Sequence, residues 1–232
     1  MSRLIILSPH LDDAVFSCWH MVNRPNTTVL TVFAGVPKKG TSTLWDRLCG
    51  QADSRIMTLK RREENTEIIS QTLASVKYLD FLDNQYRSTK LSPEEITKKI
   101  IKSTPRDSSY LVPLAASHFF RHPDHLLLRQ VGVILNGLGR KVSFYPDLPY
   151  MGVPKKVSTL YLQRLSKRSS KLLSLTLLAT FNKLSPDELL DKNKAMRSYE
   201  SQYKMTNISS LGRLGFLAKR DYEVILQADK LK

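Results

Sequence analysis

The chain of 232 residues is long enough for a domain with a full core, and its hydrophobic fraction of 41% lies well above the disordered range. Thirty-six Lys and Arg against 21 Asp and Glu leave a formal charge of +15, which favours anionic partners: a phosphorylated substrate, an anionic membrane surface or nucleic acid. The two cysteines, Cys18 and Cys49, exclude a disulfide scaffold and match no CxxC spacing, and the apolar stretch 172–181 is too short and too interrupted by Ser and Thr to cross a bilayer.

The first apolar run, 4–7, ends in a charged motif rather than a small-residue cleavage site, so it reads as a buried strand and the protein as cytoplasmic. Further strands are predicted at 28–33, 78–81, 110–113 and 142–145, each short and rich in β-branched, Leu or aromatic residues. Helical patterns fall between them, at 13–21, 52–74, 92–103 and 124–138. The third opens on Ser92-Pro93-Glu94-Glu95, an N-cap, a Pro in the first turn and two acids that favour the positive end of the helix dipole. Residues 35–50 carry few helix or strand signals, and a loop of that length often acts as a lid.

Beyond Pro154 the pattern changes. Leu160, Leu165 and Leu172 have helical spacing in a stretch holding Lys155, Lys156, Arg164, Lys167, Arg168 and Lys171 and no acid. Residues 175–181 suit either a strand or a buried helix. Ser185-Pro186-Asp187-Glu188 opens a helix running to about Tyr199, and 222–226 is the last predicted strand. The expectation is an α/β fold: a Rossmann-like three-layer sandwich with a mostly parallel central sheet. One domain, 1–232, would comprise a core at 1–150 and a C-terminal elaboration at 151–232.

Two motifs carry chemistry. Ser8-Pro9-His10-Leu11-Asp12-Asp13 follows the first strand, and His122-Pro123-Asp124-His125 follows the fourth. Both precede helices, so both sit at the carboxyl ends of strands, where open α/β sheets build their sites. A catalytic zinc takes three protein ligands, commonly His and carboxylate, and keeps one position open. His10, Asp13 and His125 supply such a set. Asp12, on the same turn, can point toward the activated water as its base, His122 can stabilise an oxyanion or protonate a leaving amine, and Asp124 can orient an imidazole. Taken singly, an Asp-Asp pair after a strand is more often a helix cap, and a lone His more often structural. Three of the five histidines fall inside these motifs, however, and His20 and His118 are read as structural.

PHLDD paired with HPDH resembles the PIG-L/LmbE-like family of zinc-dependent N-deacetylases, which act on N-acetylated sugars and related amides. The similarity continues softly to about residue 202, through Arg61-Arg62-Glu63-Glu64, the segment LDFLDNQYR at 79–87, FYPDLPY at 144–150 and KNKAMRSYESQ at 192–202. The resemblance implies zinc on His10, Asp13 and His125, Asp12 as base and His122 as oxyanion stabiliser or acid. It further implies that Arg61 and Asp83 hold substrate hydroxyls. Read from the residues alone, Arg61 and Glu64 suit an ordinary i,i+3 helix pair, and Asp83-Asn84 a turn. The sequence departs from the family at Ala14, where Glu is frequent. It departs again at 115–121 (AASHFFR), where glycine-rich sequence gives way to bulkier residues that reshape the mouth of the site.

The leading expectation is therefore a zinc-dependent hydrolase, with Fe2+ as the alternative ion, acting on an N-acetylated sugar or glycoconjugate that the net charge would allow to be anionic. The rival is a binding protein with a vestigial metal site. Its basic surface, 155–181, would contact a membrane and make the protein peripheral. Nucleic acid is disfavoured, because no reading module or stacking platform is present.

Overall fold

The computed structural model describes residues 3–115, 122–148, 157–203 and 221–228. Its centre is a seven-stranded sheet built from β1 (Leu4–Ser8), β2 (Thr27–Thr31), β3 (Ser75–Tyr78), β4 (Ser109–Pro113), β5 (Val142–Tyr145), β6 (Leu177–Lys183) and β7 (Tyr222–Ala228), in the order β3-β2-β1-β4-β5-β7-β6. The first five strands are mutually parallel, and β7 runs antiparallel to both β5 and β6.

Strand alternation feeds two cores, one on each face. Ile5 and Leu7 of β1, with Tyr110 and Val112 of β4, join one cluster, whereas Ile6 and Leu111 join the other. The first is closed by α4 (Pro93–Ser103), α5 (Pro123–Gly137) and α6 (Thr159–Leu173), through Ile96, Leu128 and Leu165 among others. The second is closed by α1 (Asp13–Val22), α3 (Ser54–Ser70) and α7 (Pro186–Ser198), through Phe16, Ile69 and Met196. The three-layer expectation is borne out. So are the predicted caps: Ser92 accepts from the Glu94 and Glu95 amides, and Ser185 with Glu188 forms a capping box.

Two local readings change and one open alternative resolves. The third strand lies at Ser75–Tyr78 rather than 78–81, because it is an edge strand whose residues alternate between exposed and half-buried, so the apolar cue marks the segment just after it. Leu79 N–H still bonds Thr31 O at 2.9 Å, and the chain then bridges Phe33 to Asp80 before leaving the sheet. A short helix, α2 (Leu44–Leu48), interrupts the expected loop at 35–50. The ambiguous run at 175–181 resolves as the edge strand β6. Two of its outward amides are taken by α6: Ser170 Oγ accepts Leu177 N–H and Ser166 Oγ accepts Ala179 N–H, both at 2.9 Å.

Helix α1 is broken at Cys18, whose φ of −147° and ψ of 49° are not helical. The break frees the amides of Trp19 and His20, and the Glu223 carboxylate, reaching in from β7, accepts both at 2.8 and 2.9 Å. Lys192 of α7 neutralises it at 2.5 Å, and both side chains are buried. Among the described residues no helix is long and apolar enough to cross a membrane. Lys155 and Lys156 lie outside the described residues.

Candidate metal centre

Strands β1 and β4 are neighbours, while the chain after β1 runs away through β2 and β3. Their carboxyl ends therefore flank the point where the strand order reverses, the crevice in which such sheets bind ligands. The SPHLDD turn is folded back on itself by Ser8, whose hydroxyl donates to His10 O (2.6 Å) and accepts Ala14 N–H (3.1 Å). Asp13 Oδ2 accepts the His10 amide at 2.9 Å, which draws that carboxylate inward. Asp12, at the cap position of α1, makes no side-chain cap bond and is buried at 8% exposure. Opposite, His122 caps α5 through Nδ1, which accepts Asp124 N–H at 3.3 Å, and His125 sits buried in that helix's first turn.

These turns converge. Asp13 Oδ2 lies 3.1 Å from His10 Nδ1 and 3.2 Å from His125 Nε2. Bonds of about 2.0–2.1 Å to a tetrahedral ion separate its donors by about 3.3 Å, so the separation of Asp13 from each imidazole suits a shared divalent cation. Each imidazole also has its far nitrogen on a carboxylate: His10 Nε2 on Asp124 (3.1 Å) and His125 Nδ1 on Asp147 (2.9 Å). Carboxylate-oriented imidazoles of this kind characterise metal ligands. His122 completes the cluster, with ring centroids 4.6 Å from His10 and 5.4 Å from His125, and ligand atoms of the three histidines lie within 4.8 Å of one another. Among the described residues two donor groups could hold a metal ion: His10, His122 and His125, and His10, Asp83, His122 and Asp124.

The electrostatics follow from burial among opposed charges. Burial works against a charged His125, but Asp13 and Asp147 outweigh it and raise its pKa to about 9. His10 is likewise raised, burial being overcome by Asp83, Asp124 and Asp13. Burial disfavours the Asp13 anion too, yet His125 and His10 hold it well below the usual range. His122 differs: burial, then the charges of His10 and His125, push it down to about 4, leaving it neutral with its proton on Nε2 because Nδ1 accepts an amide. Asp12 is pushed up to about 7 by burial and by Asp13.

Of the remaining predicted residues, Asp83 lies 3.8 Å from His10 Nε2 and accepts the amide and side-chain N–H of Gln85, both at 3.0 Å. Its turn reading holds, since it caps a 3₁₀ turn at Asn84–Tyr86. Arg61 is buried, but the i,i+3 pairing with Glu64 is not what the structure shows. Arg61 pairs with Asp46 at 3.0 Å and bonds Tyr86 at 3.3 Å, while Glu64 takes the amide and hydroxyl of Ser201. Asp124 does more than orient His10. It also accepts Asn84 N–H (2.9 Å) and Arg87 (2.5 Å), tying the HPDH turn to the Asp83 loop. His20, read as structural, bonds Glu188 at 3.0 Å; His118 lies outside the described residues.

Sequence reasoning assigned no role to Asp147, Asp46, Tyr86 or Arg87. Asp147 had a signal: an acid between aromatics and prolines directly after a core strand must find partners when buried. Besides His125 it accepts Ala115 N–H at 2.9 Å, and Ala115 carries a φ of +47°, a left-handed conformation strained for a non-glycine residue. Replacing Asp147 with Asn should weaken metal binding about 10–100-fold, as read by competition with a chromogenic chelator. An unchanged affinity would remove Asp147 from the centre.

No family model matches the chain. It is 32% identical over 170 residues to a 2'-N-acetylparomamine deacetylase of Streptomyces fradiae, a match covering 65% of this chain and 58% of that protein. A second 2'-N-acetylparomamine deacetylase, of Niallia circulans, is 26% identical over 183 residues, covering 63% of this chain and 66% of its own length. The chain thus spans little more than half of the first relative's length. Among solved structures, a triple mutant of a deacetylase in the teicoplanin biosynthetic pathway superposes with a TM-score of 0.74 at 21% identity, covering 100% of this chain and 99% of that one, and so shares the fold.

Proposed function

We propose that this chain is a metal-dependent N-deacetylase that removes acetate from an N-acetylated sugar or glycoconjugate. The resemblance to the PIG-L/LmbE-like family read from PHLDD and HPDH is borne out by the named deacetylases among its sequence relatives. One observation carries the reading: Asp13 is clasped between His10 Nδ1 and His125 Nε2, with the neighbouring Asp12 carboxylate left uncommitted to its helix. A vestigial site, as the binding-protein rival requires, would have lost a ligand or the base, and every member is present.

His10, Asp13 and His125 would hold the ion. Zinc is favoured by the mixed imidazole and carboxylate donors, with Fe2+ the alternative. When bound, such an ion supplies Lewis-acid polarisation of the acyl carbonyl and lowers the pKa of water to about 7. Asp12 takes the proton of the attacking water and delivers it to the departing nitrogen. His122, beside both ligand imidazoles, donates a hydrogen bond to the oxyanion that develops on the acyl oxygen or protonates the departing amine. Arg61 and Asp83 hold sugar hydroxyls, and Asp124 and Asp147 fix the imidazole planes.

The names of the two sequence relatives make 2'-N-acetylparomamine the first substrate to try. Residues 1–232 act as a single deacetylase domain, and the exposed Arg164, Lys167, Arg168 and Lys171 on α6 support peripheral contact with an anionic membrane or capture of an anionic substrate. The test is acetate release by metal-loaded protein across neutral, phosphorylated, lipid-linked and basic N-acetylated sugars. Absence of release from all of them would overturn the reading. His125→Ala should lower metal content from stoichiometric to a small fraction by elemental analysis. Full occupancy in that variant would displace His125 from the ligand set.

A further inference from the structure

The buried polar contacts of α2 lead to both residues assigned to the substrate. Asp46, on its inner side, is fully buried; its Oδ1 lies 3.0 Å from Arg61 Nη2, and its Oδ2 accepts the Tyr86 hydroxyl at 2.8 Å. Tyr86 Oη in turn accepts Arg61 Nη1 at 3.3 Å, so the guanidinium is held at two corners by one small network. Thr43, which caps α2 by accepting Asp46 N–H at 3.2 Å, donates its hydroxyl to Gln85 Oε1 at 2.9 Å. Gln85 is the residue that grips both carboxylate oxygens of Asp83.

The apolar side of the helix contributes little to seating it. Leu44 and Leu48 are 65% and 54% exposed, and Trp45 is half-buried. The bonds that fasten α2 to the wall of the site are largely the bonds that fasten Arg61 and Asp83. Holding a long cation and a loop carboxylate in one orientation before substrate arrives removes an entropic cost from binding.

We propose that α2 is a brace for substrate recognition, with Asp46 and Tyr86 as positioning residues for Arg61 and Gln85 as the positioning residue for Asp83. This rests on the reading of Arg61 and Asp83 as substrate contacts. A brace of this kind acts on binding rather than on the chemical step. Asp46→Asn and Tyr86→Phe should therefore raise KM about tenfold while kcat changes less than about twofold.

The experiment uses the whole 232-residue chain, metal-loaded, and two readouts. Side-chain 15N spectra, with the Arg61 guanidinium signals assigned by their loss in Arg61→Lys, report whether its Nη1 and Nη2 corners are held. Steady-state acetate release from 2'-N-acetylparomamine gives the KM and kcat split. The expected result is a sharp, slowly exchanging Arg61 signal in the wild type that broadens and exchanges faster in both variants, with metal content unchanged and KM raised. Tyr86→Phe removes one hydroxyl from a half-buried ring and carries the test if the Asp46 variant fails to fold. An Arg61 signal equally protected in the variants, or a fall in kcat with KM unmoved, overturns the brace. If the wild type releases no acetate from this compound, deacetylation of that substrate fails, and the spectra alone decide the brace.

Discussion

Replacing Asp12 with Asn should remove turnover by about 10²–10⁴-fold and, in the metal-free protein at pH 8, raise the melting temperature. Both effects have one origin. Burial and the neighbouring Asp13 carboxylate push Asp12 up to about 7, far above the range of an exposed aspartate. The folded chain then binds a proton that the unfolded chain has already lost at pH 4 and above. Stability conferred by the neutral form is therefore withdrawn as pH rises from about 4 to about 7, reaching a cost of up to about 4 kcal/mol that stays constant at higher pH. Asn keeps the shape without the charge, so the metal-free variant should lose this pH dependence and match the wild type only near pH 4. Thermal melts of chelated protein between pH 4 and pH 8 read it directly. A variant no more stable than the wild type at pH 8 would mean that Asp12 is solvated as an ordinary carboxylate. Undiminished acetate release would assign the base elsewhere.

Glu223→Gln should cost about 3–5 kcal/mol and lower the melting temperature by about 10 °C, although it lies far from the chemistry in sequence. The carboxylate accepts the two amides freed by the break in α1 and is the counterion of the buried Lys192. The amide turns one acceptor into a donor facing a backbone N–H and leaves the ammonium buried without its charge partner. Adding Lys192→Met to Glu223→Gln should return part of the loss, because no uncompensated charge then remains. Calorimetry of the single and double variants would show this as coupling. A single variant melting within about 2 °C of the wild type would mean that the pair contributes little.

The fold was legible wherever a strand is buried on both faces or a helix carries its own cap. β1, β4 and β5 announce themselves as apolar runs, and α4 and α7 by Ser-Pro-acid openings. β3 was displaced because an edge strand needs no apolar residues. α2 was missed because its one buried side chain, Asp46, is polar, and polar residues in a glycine-flanked stretch read as loop. The donor set was legible for a related reason: His10 and Asp13, and His122 and His125, are local pairs on strand-end turns, so one segment shows half the geometry. Asp147, Asp46 and Tyr86 reach the site only through tertiary contacts, at sequence separations no short motif spans. Glu223 is the extreme case, a charge in the middle of a strand pattern whose purpose appears only when α1 is seen to break beside it.

The serines that α6 offers to β6 have a consequence for how molecules of this chain meet one another. A seven-residue border strand with bare amides is a template on which another chain can add, the first step toward fibrils or swapped dimers. Ser166 and Ser170 occupy two of those amides, and the helix that carries them lies alongside with Arg164, Lys167, Arg168 and Lys171 exposed. The same helix thus blocks the first half of that border to further strands and surrounds it with like charge. Crowded copies of the protein would repel at the place where their sheets could otherwise fuse.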